Sequence, residues 1–210
     1  MEHYEPAMLQ GMEEHNKEIE AIIQNPDEPS FSNTIVALEK SGELLNRVST
    51  VFSNLHSAET NDEMDALAEK IMPMLTEHSN NITLNAQLFN RIKAVYDNKD
   101  HLSLNGEEYM LLENTYQSFI RSGANLCEKD KDEFKRISAD LSLNILKYSQ
   151  NLLKETNAYE LRLSEEQLQG LPESAIATYA QTAKEKGEEG YIVTLQIPSF
   201  SPFMKYSTNR

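Results

Sequence analysis

The sequence predicts a mainly α-helical fold: a multi-helix lobe with two long antiparallel helices, then a small C-terminal α/β element of two strands and one helix. Two observations carry this. Apolar residues recur at three- and four-residue steps through most of the chain, which places them on single helix faces. After Thr156 the period changes to two in "AYELRL" and "YIVTLQI", the alternation of half-buried strands. The expected division is a helical lobe over 1–157 and an α/β element over 158–210. That second element is expected to be truncated at Arg210, because a sheet begins there and stops.

The first helix is expected over Pro6 to Gln24, with Met8, Met12, His15, Ile19, Ile22 and Ile23 on one face. "NPDEPS" breaks it with two prolines. A long second helix follows, from about Thr34 to Leu55. Phe31 and a Ser32 cap stand in the order of a hydrophobic staple. Its stripe is Ile35, Leu38, Leu45, Val48, Phe52 and Leu55. Leu44 and Val51 widen that stripe enough for a second neighbour. Gly42 in its middle costs up to about 1 kcal/mol relative to alanine unless another backbone approaches there.

Thr60 and Glu63 have capping-box spacing and open a third helix. Met64, Leu67, Ile71, Leu75 and His78 form its inner face, and Pro73 is expected to kink it. A shorter helix, Ala86 to Tyr96, carries Leu88, Phe89, Ile92, Val95 and Tyr96. Asn105 and Glu108 form a second capping-box pair before a helix with Leu112, Tyr116 and Phe119 that stops near Gly123. The longest helix runs from about Glu128 to Thr156. Phe134, Ile137, Leu141, Ile145, Tyr148 and Leu152 are spaced for packing on the second helix, or on a coiled-coil partner from another chain. Pro172 opens the last expected helix, which Gly187 ends. Two strands alone are marginal in water, so the pair needs further strands or the support of helices.

A chain of 210 residues removes roughly 70% of its unfolded surface on folding, enough for a sizeable core. Its 19 basic against 34 acidic residues give a net charge of −15. That field repels phosphate backbones, so nucleic acid is not an expected partner. No apolar run approaches the ~20 residues of a membrane helix, and the acidic start "MEHYEPAMLQGMEEH" has no signal-peptide core. No membrane partner is expected. A soluble protein of the cytoplasm or periplasm fits, and the compartment stays open.

His3, His15, His56, His78 and His101 are scattered, with no two at i, i+4 for an H-E-x-x-H zinc helix. His15 and His78 lie on apolar faces and read as core histidines. His56 and Glu59 read as a surface or capping pair. There is no G-x-S-x-G elbow, phosphate loop or EF-hand order. "EKDKDEF" lacks the glycine and closing glutamate of a calcium loop, and its acids suit a helix N-terminus. Met8, Met12 and Met64 fall on core stripes. Cys127, the single cysteine, sits where a helix begins, with no neighbouring histidine to activate it. No catalytic, metal or substrate-binding residue is assigned.

Several stretches carry a resemblance. "PSFSNTIVALEKSGELLNRVSTVFSNL", "RSGANL", "KYSQNLLKETNAYEL", "TLQIPSFSPFMKYSTNR" and the opening "EHYEPAMLQGM" occur in the order seen in thimet-oligopeptidase-like zinc peptidases. The sequence most resembles the peptidyl-dipeptidase (dipeptidyl carboxypeptidase) branch. The resemblance implies an N-terminal, non-catalytic lobe that walls a deep channel and admits only short unfolded peptides. Zinc is implied for the longer parent and not for this segment. The implied partners are the catalytic C-terminal half of the same polypeptide and, in the parent, oligopeptides that lose C-terminal dipeptides. Alone, the segment is expected to be inactive, to expose apolar surface on the second helix, the two strands and "IPSFSPF", and to self-associate. The alternatives are a stand-alone helical interaction module with no catalytic half, and a small enzyme with an unrecognised site.

Overall fold

A computed structural model describes residues 2–209; the expected break at Arg210 lies outside them. The chain divides into two compact units, one reaching to Leu146 and one starting at Lys147.

In the first unit, α1 (Tyr4–Ile23) and α3 (Glu43–Ala58) form the closest helix pair. They run antiparallel. Tyr4 meets Phe52 edge-on at 5.3 Å between ring centres, Gly11 faces Leu45, and Glu18 accepts from the Gly42 amide at 2.7 Å. The expected long second helix is thus not continuous. A π-helical turn (Phe31–Val36) leads into one short α-turn, α2 (Ala37–Glu39). The chain then bends at Gly42, whose φ of 72° is left-handed, before α3 begins. A left-handed residue interrupts the helix, and glycine adopts that conformation without a Cβ penalty. The cap is also displaced. Ser30, not Ser32, accepts from Asn33 N–H at 3.1 Å, and Asn33 Oδ1 accepts from Ser30 N–H at 2.8 Å.

α4 (Asp62–Thr83) packs on α1, and where it follows α3 His56 Nε2 lies 2.9 Å from Asp65 Oδ1. Asn61 rather than Thr60 is its N-cap, accepting from Met64 N–H at 3.0 Å. Thr60 instead donates to Asp65 at 2.7 Å. The helix continues through Pro73. Met8, Met12, Leu45, Phe52, Met64, Ala68 and Ile71 pack into one core cluster with Leu146. A second cluster joins the end of α1 to α5 (Ala86–Asp97) and α6 (Gly106–Arg121) through Ile19, Ile22, Leu88, Ile92, Leu112 and Phe119. The capping box of Asn105 and Glu108 is present as expected.

α7 (Glu128–Ala158) is the longest helix, and its packing departs from expectation. Most of the large apolar residues expected to pack on the second helix are exposed, Ile137 50%, Leu141 56%, Ile145 58%, Tyr148 69% and Leu152 55%, while Phe134 is half-buried. Lys131 and Leu146 are buried instead, with Ser138, Ala139 and Ser142 half-buried.

In the second unit β1 (Leu161–Leu163) and β2 (Tyr191–Val193) pair antiparallel, Leu161 with Val193 and Leu163 with Tyr191. Three-residue strands cannot stand alone; α8 (Glu173–Glu185) covers them, packing Tyr179 and Ala175 on Leu163 and Val193. The strands are therefore buried rather than an exposed apolar face, Ile192 and Val193 being 1% and 2% exposed. A further helix follows β2, where none was expected: α9 (Ile197–Tyr206) starts with a proline in its first turn. Tyr179 ties it down, its hydroxyl donating to the Ser199 carbonyl at 2.9 Å.

Candidate functional site

The histidines on apolar faces do come together. His15 of α1 and His78 of α4 stand 3.0 Å apart, Nδ1 to Nε2, and His15 Nε2 lies 3.1 Å from Ser41 Oγ. They line an open groove of about 420 Å³ with Leu45, Asn46 and Ser79 among its other walls. Burial lowers both imidazole pKa values below the ordinary range, with His15 opposed by Glu18 and His78 pushed further down by His15. This meeting is not legible in the sequence, because 63 positions separate the two rings and each alone reads as core.

The remaining candidates stay apart. His56 pairs with Asp65 rather than Glu59. Cys127 is exposed at the start of α7, its carbonyl accepting from the Asp130 and Lys131 amides. Among the described residues no group of three or more His, Cys, Asp or Glu side chains could hold a metal ion. No helix of the described residues is long and apolar enough to cross a membrane.

Other polar clusters fasten elements to one another. Lys99 Nζ sits 3.8 Å over the Tyr96 ring and 3.2 Å from Glu113, while Tyr96 stacks on Tyr116 at 3.8 Å. Tyr96, Glu113 and Tyr109 together hold the Lys99 ammonium well above its usual range. Arg91 reaches back to the "NPDEPS" loop, donating to the carbonyls of Asn25 at 3.0 Å and Asp27 at 3.2 Å. These arrangements can pin loops and helices. They do not place a nucleophile beside a base.

The most distinctive surface feature is apolar. Besides the α7 residues, Val51 and Leu55 of α3 and Ile197 and Phe200 of α9 are exposed. Two of the three expected apolar regions, the flank of the second helix and "IPSFSPF", are therefore present.

No family model matches the chain. Among curated proteins it is similar to the dipeptidyl carboxypeptidase of Escherichia coli (strain K12), 40% identical over 88% of this chain and 27% of that protein. It is 37% identical to the dipeptidyl carboxypeptidase of Salmonella typhimurium, over 92% of this chain and 29% of that protein. The oligopeptidase A of Haemophilus influenzae is 30% identical over 100% of this chain and 31% of its own length. The chain thus spans under a third of the length of these relatives. It is related to part of the dipeptidyl carboxypeptidases and of the oligopeptidases A.

Proposed function

We propose that this chain is the N-terminal, non-catalytic lobe of a zinc-dependent peptidyl-dipeptidase that releases C-terminal dipeptides from oligopeptides. The observation that carries this is its match to dipeptidyl carboxypeptidase along 88% of its own length but 27% of the relative's. In this reading the lobe walls the substrate channel and keeps folded proteins from the reactive centre. The metal ligands and the acid–base residues belong to the other part of the polypeptide. The described residues here do not fit a zinc site, so no catalytic step is routed through them. The exposed apolar residues of α7, Ile137 and Leu141 among them, are the docking face for that catalytic part.

The test is reconstitution. This chain is mixed with the separately produced portion of the Escherichia coli dipeptidyl carboxypeptidase that lies outside the match, and dipeptide release from a short peptide is followed with and without chelator. The chain alone releases nothing, and the mixture forms a complex whose activity the chelator removes. Cleavage by the chain alone would defeat the proposal. So would failure of the two pieces to associate, which would favour a stand-alone interaction module.

A further inference from the structure

Ser41 fixes the protons of the histidine pair. Its hydroxyl donates to the Leu38 carbonyl at 2.7 Å, so toward His15 its oxygen can only accept. His15 therefore carries its proton on Nε2, which lies 3.1 Å from that oxygen. His15 Nδ1 is then a lone pair, and it accepts from His78 Nε2–H at 3.0 Å. The result is a directional chain from His78 through His15 and Ser41 to a backbone carbonyl, with both rings neutral. The next residue completes the grip. A Cβ on Gly42 would stand 2.8 Å from the His15 ring, and the Gly42 amide donates to Glu18.

We propose that this pair is an acid-sensitive latch: neutral, it fastens the Ser41–Gly42 turn to α1 and α4; on taking up protons it lets the turn go. One extra proton can be housed with the bonds intact on His78 Nδ1, or on His15 Nδ1 if His78 shifts its own to Nδ1 and accepts from His15. A second cannot, because it sets N–H against N–H across the 3.0 Å gap and adds like charges in a partly dry site. The surroundings offer little relief. α3 presents Leu45 and Asn46, and α4 presents Leu75 and Ser79, all uncharged. Glu18 is the charged group acting on His15, and His15 is the one acting on His78.

The sign follows from the direction of the shifts. Folded rings with pKa values below the unfolded value of about 6.5 bind fewer protons than unfolded ones, so stability rises with pH. The latch is fully closed above about pH 6.5 and weakens as the pH falls below it. This inference rests on the first unit alone and stands or falls separately from the peptidase reading.

Thermal unfolding of the whole chain at about pH 7.5 and about pH 5.5, either side of the ordinary imidazole value, tests it against His78→Gln. Glutamine keeps an N–H donor near the position of Nε2 and cannot be protonated. The wild type is expected to lose more of its melting midpoint on acidification than this variant does. Nitrogen NMR of the labelled wild type is expected to show His15 protonated on Nε2 and the two rings titrating as a coupled pair below the ordinary value. Equal acid sensitivity of the two proteins would overturn the latch, as would two rings titrating independently near pH ~6.5. Should the variant fail to fold, the NMR titration of the wild type decides alone.

Discussion

At the residue scale, Gly11 has the largest consequence for so small a side chain. A Cβ there would meet Leu45 Cα at 2.8 Å and its nitrogen at 3.0 Å. Those are backbone atoms of α3 and cannot rotate away. Alanine gains up to about 1 kcal/mol of helix propensity at such a site, but overpacking costs about 1–3 kcal/mol. Gly11→Ala is therefore expected to lower stability in urea unfolding. Gly106→Ala, where nothing lies within 4 Å of the new methyl, is expected to be neutral or stabilising by up to about 1 kcal/mol. Tyr179→Phe tests the second unit. Its ring is 0% exposed, and the lost hydroxyl leaves the Ser199 carbonyl without that donor, a cost of about 1–2 kcal/mol in the same measurement. Neither the Gly11 nor the Tyr179 contact could be read from spacing. Each joins positions distant in sequence, whereas local pairs such as Asn105 with Glu108 were legible because both partners lie within one turn. Even local reading slipped where two capping acceptors compete. Ser30 and Ser32 both suit a cap, and Asn33 decides for Ser30 by closing the reciprocal bond.

At the element scale, hydropathy period located nearly every helix but misjudged what two of them do. α7 carries its large apolar residues at regular steps, so its sequence announces a buried stripe around Leu141. The buried positions are instead Lys131 and Leu146, with Phe134, Ser138, Ala139, Ser142 and Leu143 half-buried. Serine and alanine contribute little to a hydropathy count, so their share of the seated face did not show in the apolar period. The second helix failed for a different reason. Apolar spacing carries no backbone dihedral, and a left-handed Gly42 divides the helix. The α7 assignment gives opposite mutational outcomes on one helix. Leu146→Ala, at a site 8% exposed, is expected to destabilise by about 2–5 kcal/mol. Leu141→Ser, at a site 56% exposed, is expected to stay within about 0.5 kcal/mol of wild type. Denaturant midpoints at constant slope separate the two; a large loss at Leu141 would place that side chain in a core.

At the scale of the whole molecule, two long-range tendencies oppose each other. The net charge of −15 drives copies apart, while Ile137 and Leu141 present apolar surface that gains by being covered. Charge repulsion between copies reaches about 30 Å at 0.01 M salt and about 10 Å at 0.1 M. Apolar contact is not weakened by the same change. The isolated chain is therefore expected to self-associate more strongly as salt rises, the reverse of an association held by ion pairs. Sedimentation at fixed protein concentration across a salt series reads this directly. The double substitution Ile137→Ser with Leu141→Ser is expected to keep the chain monomeric throughout while leaving its melting midpoint in place. If the proposed catalytic portion takes the same face, adding it must dissolve the self-associated species, because one stripe cannot be covered twice. Self-association that persists unchanged in the presence of that portion would mean the two contacts lie on different surfaces, and the docking role assigned to α7 would be wrong.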